Sequence, residues 1–103
     1  MSASRGSEQT GGSPVRRVRV VYRGRVQGVG FRYTARGLAR RHGVVGFVRN
    51  CPDGTVELVA EGPSDSVDQL LEAIDRAFRG YIREAEVRDW PSTERFDRFE
   101  IRF

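Results

Sequence analysis

Between residues 18 and 42 the apolar pattern changes its period, across a seven-residue loop that carries three glycines. Val18, Val20 and Tyr22 alternate with Arg17, Arg19 and Arg23. Alternation sorts side chains onto two faces of an extended chain, so this segment predicts a half-buried strand. From Phe31 onward the spacing is helical: Ala35, Leu38 and Ala39 follow, with His42 on the same face, and an amphipathic helix is predicted. Gly24, Gly28 and Gly30 lie between the two patterns. A strand that enters a helix through such a loop must turn sharply, and glycine accepts the backbone angles this requires. Gly43 stands where a left-handed cap is expected to end the helix.

The remaining pattern follows the same logic. Val44 to Arg49 reads as a second strand, and Pro52-Asp53-Gly54 as a turn. Val56, Leu58 and Ala60 alternate with Glu57, Val59 and Glu61, a third strand forming a hairpin with the second. After Gly62-Pro63, Ser64 or Ser66 is the expected cap of a second helix with apolar positions 67, 70, 71, 74, 77 and 78, which Gly80 ends. Extended pieces are expected around 82–90 and 98–103. The order is βαββαβ with a short fifth strand. That is an α+β, ferredoxin-like split βαβ sandwich, an antiparallel sheet carrying two helices on one face. One domain is expected over residues 14–103. Residues 1–13 are small and polar and are expected to form a disordered tail. A fold of this kind hosts many functions, so function must come from a site.

Charge narrows the partners. All eighteen basic residues are arginine, and the net charge is +4. Ten arginines (16, 17, 19, 23, 25, 32, 36, 40, 41 and 49) fall in residues 14–50, which hold no acid. Residues 51–103 hold thirteen acids against seven arginines. A basic half attracts anions such as phosphate esters, acyl phosphates or nucleic acid. The absence of lysine excludes a Walker A loop, and Tyr33 stands where a dinucleotide loop needs a third glycine. One cysteine and one histidine exclude an internal disulfide and a zinc cluster. No stretch approaches the ~18 apolar residues of a membrane span. Met1 to Pro14 lacks the apolar run of a secretory signal. A cytoplasmic location is the expectation, and nothing in the sequence calls for more than a monomer.

Gln27-Gly28-Val29-Gly30-Phe31-Arg32 joins the first strand to the first helix. N–H groups at a helix start have no internal acceptor, and the helix dipole is positive there. Glycines let successive N–H groups converge into an anion-binding nest. Arg32, in the first turn, carries a forked guanidinium that matches phosphate. The alternative is a tight connection in which the glycines serve sterics alone. Asn50 ends the second strand. It either bonds the local hairpin backbone or offers a neutral amide that orients a water beside the loop.

Gly24-Arg25-Val26-Gln27-Gly28-Val29-Gly30-Phe31-Arg32 resembles the signature loop of the acylphosphatase family, Gly-x-Val-Gln-Gly-Val-x-Phe-Arg. Gly46-Phe47-Val48-Arg49-Asn50-Cys51-Pro52-Asp53-Gly54 resembles its second signature, Gly-x-Val-x-Asn-x-x-Asp-Gly. Residues 56–62 and the ending Phe99-Glu100-Ile101 continue the likeness, which spans roughly residues 15–103. Family members often close on tyrosine or arginine, whereas this sequence closes on Arg102-Phe103. The resemblance implies hydrolysis of the carboxyl-phosphate bond of a small acyl phosphate. It places the catalytic arginine on Arg32 and the catalytic asparagine on Asn50. It places the phosphate loop on Gln27, Gly28, Val29, Gly30, Phe31 and Arg32. It implies no metal, no cofactor and no phosphoenzyme. Similar domains occur inside larger hydrogenase-maturation enzymes, but no zinc-finger cysteines accompany this one.

Other residues have plainer readings. His42 and Trp90 are expected to be structural, Cys51 a turn residue, and Glu57 and Glu61 a solvated face. Tyr33 is a candidate for the pocket wall. The rival reading is an RNA-binding module of the RRM type, stacking bases on sheet aromatics. Phe47 fits that pattern, but Val44 replaces its first aromatic and residues 56–61 offer none. Nucleic-acid binding is therefore disfavoured.

Overall fold

The computed structural model describes residues 14–103; the expected tail, residues 1–13, lies outside them. The elements are β1 (Val15–Gly24), α1 (Phe31–Arg41), β2 (Val45–Asn50), β3 (Val56–Pro63), α2 (Ser64–Ala77), β4 (Ile82–Asp89) and β5 (Phe99–Arg102). They form one sheet in the order β4-β1-β3-β2-β5. β1 runs antiparallel to both its neighbours, with Val20 opposite Leu58 of β3 and Val87 of β4. β2 and β3 form the expected hairpin. β5 joins β2 in parallel, Val48 opposite Ile101. The first four strands thus make the antiparallel ferredoxin-like sheet, and the short fifth adds a parallel edge. Its direction follows from its approach, because the chain reaches β2 from β4 at the far edge.

The alternation of the strands decides the layers. Val18, Val20 and Tyr22 of β1 share one sheet face with Leu58, Ala60 and Val48. Phe31, Ala35 and Ala39 of α1 and Val67, Leu70 and Ile74 of α2 close on that face, and all are buried. Burying each large apolar side chain contributes ~1.5–3 kcal/mol. α2 begins differently from the expectation. Pro63 holds the cap position and neither serine caps by its side chain. The Ser64 N–H donates instead to the Pro14 carbonyl at 2.9 Å, because the helix starts directly from β3 beside the start of β1. α2 ends at Ala77, and Gly80, with φ +92°, turns the chain toward β4.

The helix-free face is built from charge. Arg17 pairs with Glu61 at 3.0 Å, and Glu57 lies between Arg19 and Arg49, each at 2.5 Å. Glu57 is only 7% exposed, so the expected solvated carboxylate is a buried, doubly paired one. Burial pushes its carboxyl up, but hydrogen bonds from the two guanidinium groups more than reverse this and hold it below the ordinary 4.5. Residues 90–98 connect β4 to β5 over this face. The Trp90 N–H donates to the Arg17 carbonyl, and Arg17 in turn bonds the Ser92 carbonyl. Trp90 and Phe96 stack at 6.0 Å, and both rings approach Phe47. The Arg102 guanidinium lies 4.0 Å from the Phe47 ring centre and 5.9 Å from that of Phe96. Phe47 is 5% exposed as a result. Among the described residues this face presents no strongly exposed aromatic ring, which removes the stacking platform that the RNA-binding reading requires. Among the described residues no helix is long and apolar enough to cross a membrane.

Candidate active site

The loop between β1 and α1 meets the end of β2 at one end of the sheet. Gly28 and Gly30 adopt left-handed backbone angles, φ +76° and +80°. Val29 between them does not, since among the described residues no non-glycine residue has positive φ. This alternation turns successive N–H groups toward one side, the geometry of an anion nest. A Cβ at either glycine would meet no atom within 4 Å. The glycines are therefore required by backbone angle, and the space above them stays open. Gly30 is the N-cap of α1, with no side chain satisfying the first turn. That turn contains no acidic residue, so its N–H groups and its positive dipole face outward uncompensated.

Two side chains hold the loop in place. Phe31 is buried, its ring 4.9 Å from Tyr22 and 4.5 Å from Phe78. This anchors the start of α1 on the core and leaves only the backbone of Phe31 at the loop. Gln27 reaches the other way. Its Nε2 donates to the Cys51 carbonyl at 2.8 Å and the Thr55 carbonyl at 2.9 Å, tying the loop to the β2–β3 turn.

Asn50 is the last residue of β2, paired with Val56 of β3. Within the turn it is Asp53 that makes the side-chain bonds, and the Asn50 amide makes none to the described residues. Asp53 Oδ1 accepts from the Thr55 N–H at 3.1 Å and the Thr55 hydroxyl at 2.6 Å. These bonds hold the Asp53 carboxyl below its ordinary value. Cys51 closes the same turn through backbone bonds, its N–H donating to the Thr55 carbonyl and its carbonyl accepting from Gly54.

Gly28, Gly30, Phe31, Arg32 and Asn50 line one cavity of about 120 Å³, together with Val26 and Tyr33. Of the residues singled out in the sequence, Gln27 and Val29 stand outside this lining. Gln27 acts on the turn, and Val29 packs against the core. Arg32 is half-buried, and its guanidinium stands 5.0 Å from the Phe103 ring. Among the described residues no carboxylate lies within 4.0 Å of it, although eight other arginines have such partners. Tyr33 forms the outer wall, 66% exposed. The site thus combines the uncapped first turn of α1, an unneutralised guanidinium and a side-chain amide around a space with no carboxylate among its lining residues. Such a space suits an anion with a neutral molecule beside it.

Sequence comparison agrees with this geometry. The acylphosphatase family model matches residues 18–101. The chain belongs to the acylphosphatase family. Its sequence is 44% identical to the acylphosphatase of Salinibacter ruber over 88 residues, covering 84% of this chain and 93% of the relative. It is 40% identical to that of Bacillus licheniformis, covering 82% and 96%. The crystal structure of acylphosphatase from Bacillus subtilis matches with a TM-score of 0.78 at 35% identity, over 87% of this chain and 100% of that one. The matched region includes both glycine-rich signatures, so the acylphosphatase fold and the cavity lie within the shared part of the chain. Acylphosphatases are hydrolases, and this chain is an enzyme of that class.

Proposed function

We propose that the chain hydrolyses the carboxyl-phosphate bond of acyl phosphates in the cavity between the glycine loop and Asn50. The observation that carries this reading is that Arg32 and Asn50, eighteen positions apart in the chain, line the same small cavity as Gly28 and Gly30. The phosphoryl oxygens sit on the N–H groups of the loop and on the Arg32 guanidinium. Phosphoryl transfer passes through a loose transition state whose charge is spread over the equatorial oxygens. Fixed N–H dipoles and one guanidinium stabilise that charge without reorganising. Asn50 holds a water in line with the scissile bond. Water oxygen bonds to phosphorus as the phosphorus–carboxyl oxygen bond breaks, and the carboxylate leaves with the electron pair. A phosphate oxygen takes the proton of the water. The carboxylate is a good leaving group and needs no strong acid. The positive charge comes from the chain itself, so the reading needs no metal or cofactor.

The test is hydrolysis of benzoyl phosphate in the presence of a chelator. Wild type should turn over. Arg32→Ala and Asn50→Ala should each lose about a hundredfold or more in kcat/KM while remaining folded by circular dichroism. The wild-type rate should be flat between about pH 5 and 8, since no side chain serves as base. Full activity in either variant would remove that residue from the mechanism. Rate loss on chelation would overturn the metal-free reading.

A further inference from the structure

Among the described residues the arginines differ in whether a carboxylate lies near them. Eight of them (16, 17, 19, 23, 49, 88, 98 and 102), all but Arg98 on strands, lie within 4.0 Å of a carboxylate. Those of α1 do not. Arg32, Arg36 and Arg40 follow one another at four-residue spacing, so they stack along one side of the helix. Like charges at that spacing oppose the helix, and α1 has no acid in its first turn to offset them. Arg83 of β4 and Arg25, Arg76, Arg79 and Arg95 have no such partner either, so what marks the α1 row is its spacing and its place. Along α1 the row stays open, beginning at the cavity.

Arg36 is the member of that row one turn beyond Arg32, which lines the cavity. Side chains on a helix lean toward its N-terminus, which here is the cavity end. The Arg36 guanidinium lies over the Tyr33 ring, 5.2 Å from its centre. Tyr33 itself forms the cavity wall beside Arg32 and Asn50. Ring and guanidinium therefore make a shelf next to the phosphate position, apolar underneath and cationic at its end. Arg36 is half-buried, so part of its side-chain entropy is already lost.

From this placement we infer that Arg36 and Tyr33 form a second anion subsite, selecting acyl phosphates whose acyl chain carries its own carboxylate or phosphate. The inference rests on the catalytic reading above and adds the substrate class. One turn of helix, ~5.4 Å, separates the two arginines along the axis. An acyl chain with its second charge three or four atoms from the phosphate spans that interval. Its methylene groups lie on the Tyr33 ring, and its terminal anion meets the Arg36 guanidinium. A neutral chain of equal length gains only the ring.

The experiment compares succinyl phosphate with butyryl phosphate, which differ by a carboxylate in place of a methyl group. Wild type should favour succinyl phosphate in kcat/KM, through KM. In Arg36→Gln the succinyl-to-butyryl ratio should fall about tenfold, the size of one charge-assisted hydrogen bond. Arg41→Gln, at the far end of α1, should leave the ratio as in wild type. Turnover of butyryl phosphate by each variant verifies that its site is assembled. An unchanged ratio in Arg36→Gln overturns the subsite. An equal fall in Arg41→Gln also overturns it, since the effect would then be the diffuse charge of the helix. Failure of wild type to hydrolyse either compound overturns the catalytic reading and the subsite with it.

Discussion

At the scale of single residues the site depends on which side chain takes which bond. Gln27 lines no part of the cavity, yet it joins the loop to the turn that follows Asn50. Removing its amide should let the loop and Asn50 move independently. Gln27→Ala is expected to fold and to lose about tenfold or more in kcat, because a misplacement of ~1 Å costs up to a hundredfold in such chemistry. Steady-state kinetics on benzoyl phosphate, with folding checked by circular dichroism, would measure it; unchanged kcat would show that the two bonds are dispensable. The glycines and Arg32 were legible in the sequence because backbone angle and charge are local properties. The freedom of Asn50 was not. Asp53 rather than Asn50 accepts both Thr55 bonds, a choice within the turn that residue types alone leave open. Gln27 was legible as part of the loop but not as its tie, since its acceptors lie about two dozen residues away.

At the scale of elements the strand-to-helix junction carries the function. Gly30 both caps α1 and opens the nest, with φ +80°. Any other L-residue there is strained by ~1–2 kcal/mol. Gly30→Ala is therefore expected to lower stability by about that much and to relax the loop, lowering activity more than stability. A urea melt paired with kinetics would separate the two effects; equal activity at reduced stability would show that the nest tolerates the change. Periodicity made most elements readable: β1, α1 and α2 each bury one face, while β2 and β3, buried on both, were legible from β-branched residues and the turn between them. The parallel pairing of β5 and the course of residues 90–98 were not readable. That segment has no period, and its Trp90 and Phe96 look like ordinary scattered aromatics until Phe47 is placed beneath them.

At the scale of the whole molecule the sheet has a helix-covered apolar face and an opposite face bound by ion pairs. Glu57 is the centre of the second. Its folded-state carboxyl titrates below its unfolded value, so the unfolded chain takes up the proton first. The stability it contributes is complete above about pH 4.5 and is lost as pH falls through the folded value. Glu57→Gln should lose about 1–3 kcal/mol at neutral pH. It should also show a shallower fall in stability than wild type as pH drops below about 4.5. Urea midpoints at several pH values would test this, and parallel acid profiles for the two proteins would exclude Glu57 as a source of the acid sensitivity. The order of the strands has a further consequence during synthesis. β1 is made first, but both of its neighbours come later, residues 56–63 and then 82–89. Until they emerge from the ribosome, a ten-residue strand waits with two open edges, the kind of segment that recruits another nascent chain. Arg17, Arg19 and Arg23 place positive charge along one face of it throughout that wait, and like charges on two such strands oppose their pairing, so the residues that later hold the sheet together first act as gatekeepers.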